Sequence, residues 1–138
     1  MTDRPRPCHV LILQDQPLLR EVLADTGLAE GFHVHSCPDM PGLLATLAGL
    51  EGPVLAYIDI HLEEGDGSEL IGPLSQHEGP LRIRFMSDGG NAHAIGARMM
   101  AEGRGMSVGR TLLKPFPHET FREALERDLA SLEDADAE

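Results

Sequence analysis

Basic residues are scarce in this chain: 11 Lys and Arg stand against 23 Asp and Glu, for a formal charge of -12. Neutralising nucleic-acid phosphates or an anionic bilayer takes clustered Lys and Arg, so neither is expected as a partner, and a protein is. Long hydrophobic runs are missing as well. The first apolar run, Val10 to Leu13, is too short for a secretory leader or a membrane span, which makes the cytoplasm the expected compartment. Cysteine is limited to Cys8 and Cys37. They fall at the start of one strand-like segment and the end of the next, roughly 20 Å apart by strand rise and beyond disulfide reach, so two free thiols are expected. Nor does any strand-like segment lead into a Walker-type phosphate loop or a Gly-rich dinucleotide fingerprint, which argues against nucleotide enzymes.

What is present is a globular composition. With 138 residues, 41% apolar and 25% charged, the chain is expected to form a single domain over 1–138, its core at about 8–132 between short tails. His9 to Gln14 is a short strand-like run. Pro17 then stands at a first helical position before Leu18, Leu19, Val22 and Leu23 at helical spacing. Gly31 stops that helix and Phe32 to Ser36 alternates like an edge strand. Asp39 caps a second helix bearing Leu43, Leu44, Leu47 and Leu50.

Pro53 to Ile60 is almost continuously apolar and ends on a carboxylate, as a central parallel strand covered on both faces would. A Gly-containing loop from Glu63 to Gly67 follows, then a short helix with Leu70, Ile71 and Leu74. Leu81 to Met86 reads as a fourth strand, Gly89 and Gly90 as a permissive loop, and Asn91 as the cap of a helix reaching about Met100. Met106 to Leu113 reads as a fifth strand. Phe121, Ala124, Leu125 and Leu129 mark a last helix, whose acids are read as its solvated face and whose end, Glu133 to Glu138, as a frayed tail. This alternation predicts an α/β doubly wound, five-stranded parallel sheet of flavodoxin-like order 2-1-3-4-5, with helices on both faces.

Ligands of such sheets bind beyond the carboxyl ends of the strands. The polar residues there are Asp15, Asp59, Ser87 and Lys114. Each alone is an ordinary cap, turn residue or solvated charge; together, at four strand ends, they form an oxygen-ligand Mg²⁺ site beside a phosphate-sized anion site. Asp15 and Asp59 would hold the metal, Asp59 would attack phosphorus, and Ser87 and Lys114 would contact the transferred oxygens. His33 and His35 share a strand face but lack an evident third ligand.

At these residues the sequence resembles the response-regulator receiver domains. Ile58-Asp59-Ile60-His61-Leu62 through Gly65-Asp66-Gly67 is similar to the phosphoacceptor strand and its loop, Leu113-Lys114-Pro115-Phe116 to the Lys-Pro signature, Met86-Ser87 to the hydroxyl position, and Gln14-Asp15-Gln16-Pro17 to the acidic pair. The resemblance implies transfer of a phosphoryl group from a kinase histidine to Asp59, with Mg²⁺ on Asp15, Asp59 and the main-chain carbonyl of His61, and a cis Lys114-Pro115 bond. It implies a sensor histidine kinase or phosphotransfer protein as donor and a downstream effector protein or output domain as target, and it leaves a homodimer open. Gly105 to Pro115 is similar to receivers placed before EAL-type cyclic-di-GMP phosphodiesterase domains.

Three positions depart from the pattern. Gln14 replaces the first carboxylate of the acidic pair, Asp88 stands where a small residue is usual, and Thr111 stands where many receivers carry a switching aromatic. Two other readings therefore stay open. One is a pseudo-receiver, a binding module that is not phosphorylated; the other is an Asp-nucleophile phosphatase, which would need a second Asp two residues after Asp59, where His61 stands.

Overall fold

The computed structural model describes residues 8–88 and 92–137. Gly89, Gly90 and the proposed cap Asn91 lie outside them. The elements are β1 (His9–Leu13), α1 (Pro17–Ala29), β2 (His33–Cys37), α2 (Met40–Ala48), β3 (Val54–Asp59), β4 (His61–Leu62), β5 (Gly65–Asp66), a 3₁₀ turn (Gly67–Leu70), α3 (Ile71–Ser75), β6 (Leu81–Asp88), α4 (Ala92–Gly103), β7 (Ser107–Val108), β8 (Leu112–Lys114) and α5 (His118–Ala137). The main sheet is parallel, in the order β2-β1-β3-β6-β7, and β8 also pairs with β6. This is the expected doubly wound α/β order, with its fifth place shared by two short strands.

Period-two alternation divides the core. Leu11, Leu13, Ala56, Ile58, Ile83 and Phe85 face one cluster with Leu43, Leu47, Leu74 and Ala97, while Val10, Ile12, Leu55, Tyr57 and Met86 face another with Leu23, Phe121 and Leu125. Every residue of β3 is buried, which is why its sequence shows no alternation. Asp39 caps α2 as expected, its carboxylate accepting from Gly42 N–H at 2.8 Å. Cys8 and Cys37 are buried free thiols.

Three expectations are corrected. The loop after β3 contains an antiparallel hairpin, β4 against β5. Of the segment read as a frayed tail, 133–137 is part of the α5 helix, which runs to Ala137. The predicted strand over Met106 to Leu113 is interrupted, for a reason that lies on α5. Asp128, read as solvated, is 1% exposed. It accepts hydrogen bonds from Tyr57 Oη (2.7 Å), Arg82 Nε (2.6 Å), and Arg84 Nε (2.9 Å) and Nη2 (2.6 Å). Arg84 Nη1 also donates to Arg110 O at 2.7 Å. The chain between β7 and β8 thus lies on a buried guanidinium, and a Cβ on Gly109 would meet its Cζ at 2.7 Å. The ladder to β6 lapses after Gly109, whose N–H still donates to Ile83 O at 2.9 Å, and resumes at Leu112, the Arg110 carbonyl between them being taken by the guanidinium. Burial, reinforced by the Asp128 charge and hydrogen bond, pushes the Tyr57 phenol well above its ordinary pKa.

At the amino end of the sheet, β1 and β2 bring together His9, His33 and His35. His9 Nε2 lies 3.1 Å from Glu51 O, an acceptor only, so it carries the proton, and its Nδ1 accepts from His35 Nε2 at 3.0 Å. Burial, and then the charges of His9 and His33, lower the His35 pKa from 6.5. A histidine so depressed binds its proton more readily in the unfolded chain, so stability is lost as pH falls through 6.5 toward the folded value. We expect denaturant-derived stability to fall less between pH 7.5 and 5.5 in His35→Gln than in wild type; equal losses would remove this role from His35.

Candidate functional site

Three carboxyl-terminal strand ends build the site. Asp59 closes β3 and is 1% exposed. Burying a carboxylate requires a cation and hydrogen-bond donors, and Lys114, the last residue of β8, supplies the cation, its Nζ lying 3.1 Å from Oδ1 and 3.0 Å from Oδ2. Register puts it there, because β8 pairs with β6 through Met86↔Leu112, Ser87↔Leu113 and Asp88↔Lys114, while β6 pairs with β3 through Met86↔Asp59. The bond Lys114–Pro115 is cis, as the family resemblance implied.

The second donor is Gln14, which is fully buried just beyond β1. Its Oε1 accepts from Gln16 N–H at 3.0 Å and its Nε2 donates to Asp59 Oδ2 at 2.9 Å. Both partners demand this orientation: a main-chain N–H only donates, and a carboxylate only accepts. Arg20 Nη1, donating to Gln14 O at 2.8 Å, fixes the backbone from α1. His61 N–H approaches Asp59 Oδ1 at 3.3 Å. A carboxylate offers about four lone-pair sites, and these contacts address all of them. Sequence reasoning read Gln14 only as a missing acid; the signal for a donor was its place one residue before Asp15, at the level of the Asp59 carboxylate.

The remaining expected residues surround this pair. Ser87 is buried on β6 and its hydroxyl donates to Asp88 O at 3.0 Å. The half-buried Asp15 accepts Glu63 N–H at 2.8 Å, holding the β4–β5 hairpin. His61 is exposed and, with Gln16, Leu19, Asp88, Lys114, Pro115 and Phe116, lines a cleft over the site. Gly67 is required by close approach: its N–H donates to Ile60 O at 2.8 Å, and a Cβ there would lie 2.2 Å from Asp59 O. Asp66 accepts from Ser68 N–H at 2.8 Å and lies 3.2 Å from His93 Nδ1. Partial burial works to raise the Asp66 pKa, but the hydrogen bonds from Ser68 and His93 outweigh it and hold the carboxyl below its ordinary value.

Whether these residues suit Mg²⁺ follows from the donor set. Among the described residues no three His, Cys, Asp or Glu side chains form a metal-binding group. Two carboxylates and the His61 carbonyl are nevertheless hard oxygen donors of the kind that hold a largely hydrated Mg²⁺. They fit the ion, in competition with the amide and ammonium donors now on Asp59.

No protein-family model and no curated protein sequence matches the chain. Solved structures do. A CheY-like response-regulator receiver domain from Methanospirillum hungatei JF-1 superposes with a TM-score of 0.81 at 17% identity, over 94% of this chain and 99% of that one. The signal receiver domain of a LuxO repressor protein from Vibrio parahaemolyticus gives 0.77 at 15% identity, over 97% and 96%. NtrX from Brucella abortus gives 0.78 at 23% identity over 94% of this chain, which spans only 28% of the NtrX chain. At these identities the likeness establishes the fold, and the fold is theirs.

Replacing Gln14 by Asp removes a donor from Asp59 and sets a like charge beside it. We expect Gln14→Asp to lower metal-free thermal stability while tightening Mg²⁺ on the order of tenfold, the scale of outer-shell effects at metal sites. Calorimetric Mg²⁺ titration and melting in chelator check this; equal affinity in the two proteins would separate Gln14 from the metal site.

Proposed function

We propose that this chain, which has the fold of response-regulator receiver domains, works as one: a phosphoacceptor in a two-component or phosphorelay pathway. The observation that carries the reading is the buried Asp59 carboxylate held on both oxygens by the flexible Lys114 ammonium (3.0 and 3.1 Å). Such a pair has a nucleophile and a cation that can follow charge onto an incoming group. A carboxylate oxygen of Asp59 attacks the phosphorus of a phosphohistidine on a sensor histidine kinase or phosphotransfer protein. The P–N bond breaks, the imidazole leaves with its electron pair, and an acyl phosphate forms on Asp59. Water later hydrolyses that bond in the same site.

The chain's own residues prepare the step. Gln14 orients the carboxylate, Lys114 turns from it to the phosphoryl oxygens, and Ser87 exchanges its bond to Asp88 O for one of those oxygens. Asp15, Asp59 and the His61 carbonyl would hold Mg²⁺, which would supply neutralisation of phosphoryl charge when bound. Ile95, Met99 and Leu113 are exposed beside Thr111 along a groove between α4 and β8, a face suited to an effector protein, an output domain or a second copy. No described helix is long and apolar enough to cross a membrane.

The saturation of Asp59 by N–H donors favours one second reading, a pseudo-receiver that binds a partner without being phosphorylated. One experiment separates the two: incubation with a small acyl phosphate and saturating Mg²⁺, followed by intact mass. A single phosphoryl addition, absent in Asp59→Asn, is expected; no addition leaves the pseudo-receiver.

Lys114→Ala is expected to keep the fold and still accept phosphate at high Mg²⁺, but to lose the conformational response. The measurement is hydrogen exchange with and without beryllofluoride. A wild-type pattern in the variant would take this role from Lys114.

A further inference from the structure

Two arginines on one face of β6 reach outward from the same buried carboxylate to the sheet edge. Arg82 donates to Asp128 (2.6 Å) and to Ser107 Oγ on β7 (2.9 Å). Arg84 donates to Asp128 through Nε (2.9 Å) and Nη2 (2.6 Å), and through Nη1 to Arg110 O (2.7 Å), in the segment between β7 and β8. We infer that Arg84, held by Asp128, is a positioning residue that ties α5 to the segment leading into Lys114, so that movement of Lys114 off Asp59 is carried to α5. Its meaning for signalling rests on the receiver reading above; the mechanical link does not.

Geometry makes the link stiff at one end and yielding at the other. The forked pair of N–H bonds on Asp128 fixes the guanidinium plane, which an ammonium cannot do. Gly109 packs against that guanidinium, where a Cβ would come within 2.7 Å of Cζ, and its N–H is held by Ile83 O at 2.9 Å. The other end is β8: three residues, paired with β6 alone among the described strands, with Leu113 57% exposed. Its upstream anchor is Arg110 O on Arg84; its downstream anchor is Lys114 on Asp59. When the lower anchor releases, displacement of β8 loads the upper one.

Asp128 is held as well by Tyr57 Oη and Arg82 Nε, so the carboxylate to which Arg84 is forked stays in place. This route needs no aromatic at Thr111.

The test perturbs Lys114 by substitution, so it does not depend on phosphorylation. Backbone amide spectra of Lys114→Met are compared with wild type, and of Arg84→Lys/Lys114→Met with Arg84→Lys. We expect Lys114→Met to shift α5 amides between 121 and 132 well beyond those of α2, and to leave them unmoved when residue 84 is Lys. Equal α5 shifts in both backgrounds, or none in either, would overturn the inference. Should Arg84→Lys fail to fold, Asp128→Asn breaks the same fork and reads the same pair of outcomes. Beryllofluoride added to wild type tells the two readings apart: a link through Arg84 without beryllofluoride binding keeps the link and removes the phosphoacceptor.

Discussion

A carboxylate buried at the end of a strand with no exposed residue is the constraint that the rest of this site answers. Asp59 cannot be solvated there, so its charge is met from other elements: an ammonium from β8, an amide from the end of β1 and a main-chain N–H from the following turn. Each has a structural cost. Lys114 reaches Asp59 only because β8 returns to the sheet beside β6, and the turn closes only because Gly67 has no side chain. The fold brings these groups together by register, and no single interaction among them would hold the carboxylate alone.

Asp128 is the second buried carboxylate and is satisfied in the opposite manner. Two arginines and a tyrosine address it with fixed, partly bidentate bonds. Removing one partner of a buried ion pair costs about 3–5 kcal/mol, so this cluster locks α5 to β6. Lysine is a compact charge on a flexible stem, whereas arginine is a planar fork. Asp59 therefore holds a partner that can follow an incoming anion, and Asp128 holds partners that keep their geometry. The two lie on the same β6-centred framework.

Much of this was legible before any coordinates. Period-two and helical spacing gave the order of elements, and the polar strand ends named Asp59 and Lys114, which do meet. What stayed hidden involves contacts that no local pattern encodes. Leu81 to Met86 carries arginines at alternate positions, and a buried strand with Arg82 and Arg84 demands a buried acid; the sequence left several candidates on the last helix, and Asp128 was read as solvated with the rest. The break in the fifth strand follows from the same omission, since nothing in Met106 to Leu113 shows a guanidinium beneath Gly109. The β4–β5 hairpin was masked by its short strands, each of two residues.

Gln14 shows how one substitution alters the electrostatics of a site while leaving its shape. An acid there would face Asp59 with a like charge, relieved by a cation or by uptake of a proton. The amide instead carries its own donor, and its orientation is set from both ends by Gln16 N–H and Asp59 Oδ2. The carboxylate is then held without a metal, in one geometry, with Lys114 on both oxygens. An entering ion or phosphoryl group must displace donors that are already well placed, so it gains less than it would at an unsatisfied carboxylate. The same preorganisation that holds the metal-free carboxylate would therefore weaken its affinity for a cation, and would leave exchange of the Lys114 ammonium as the step with the least to lose.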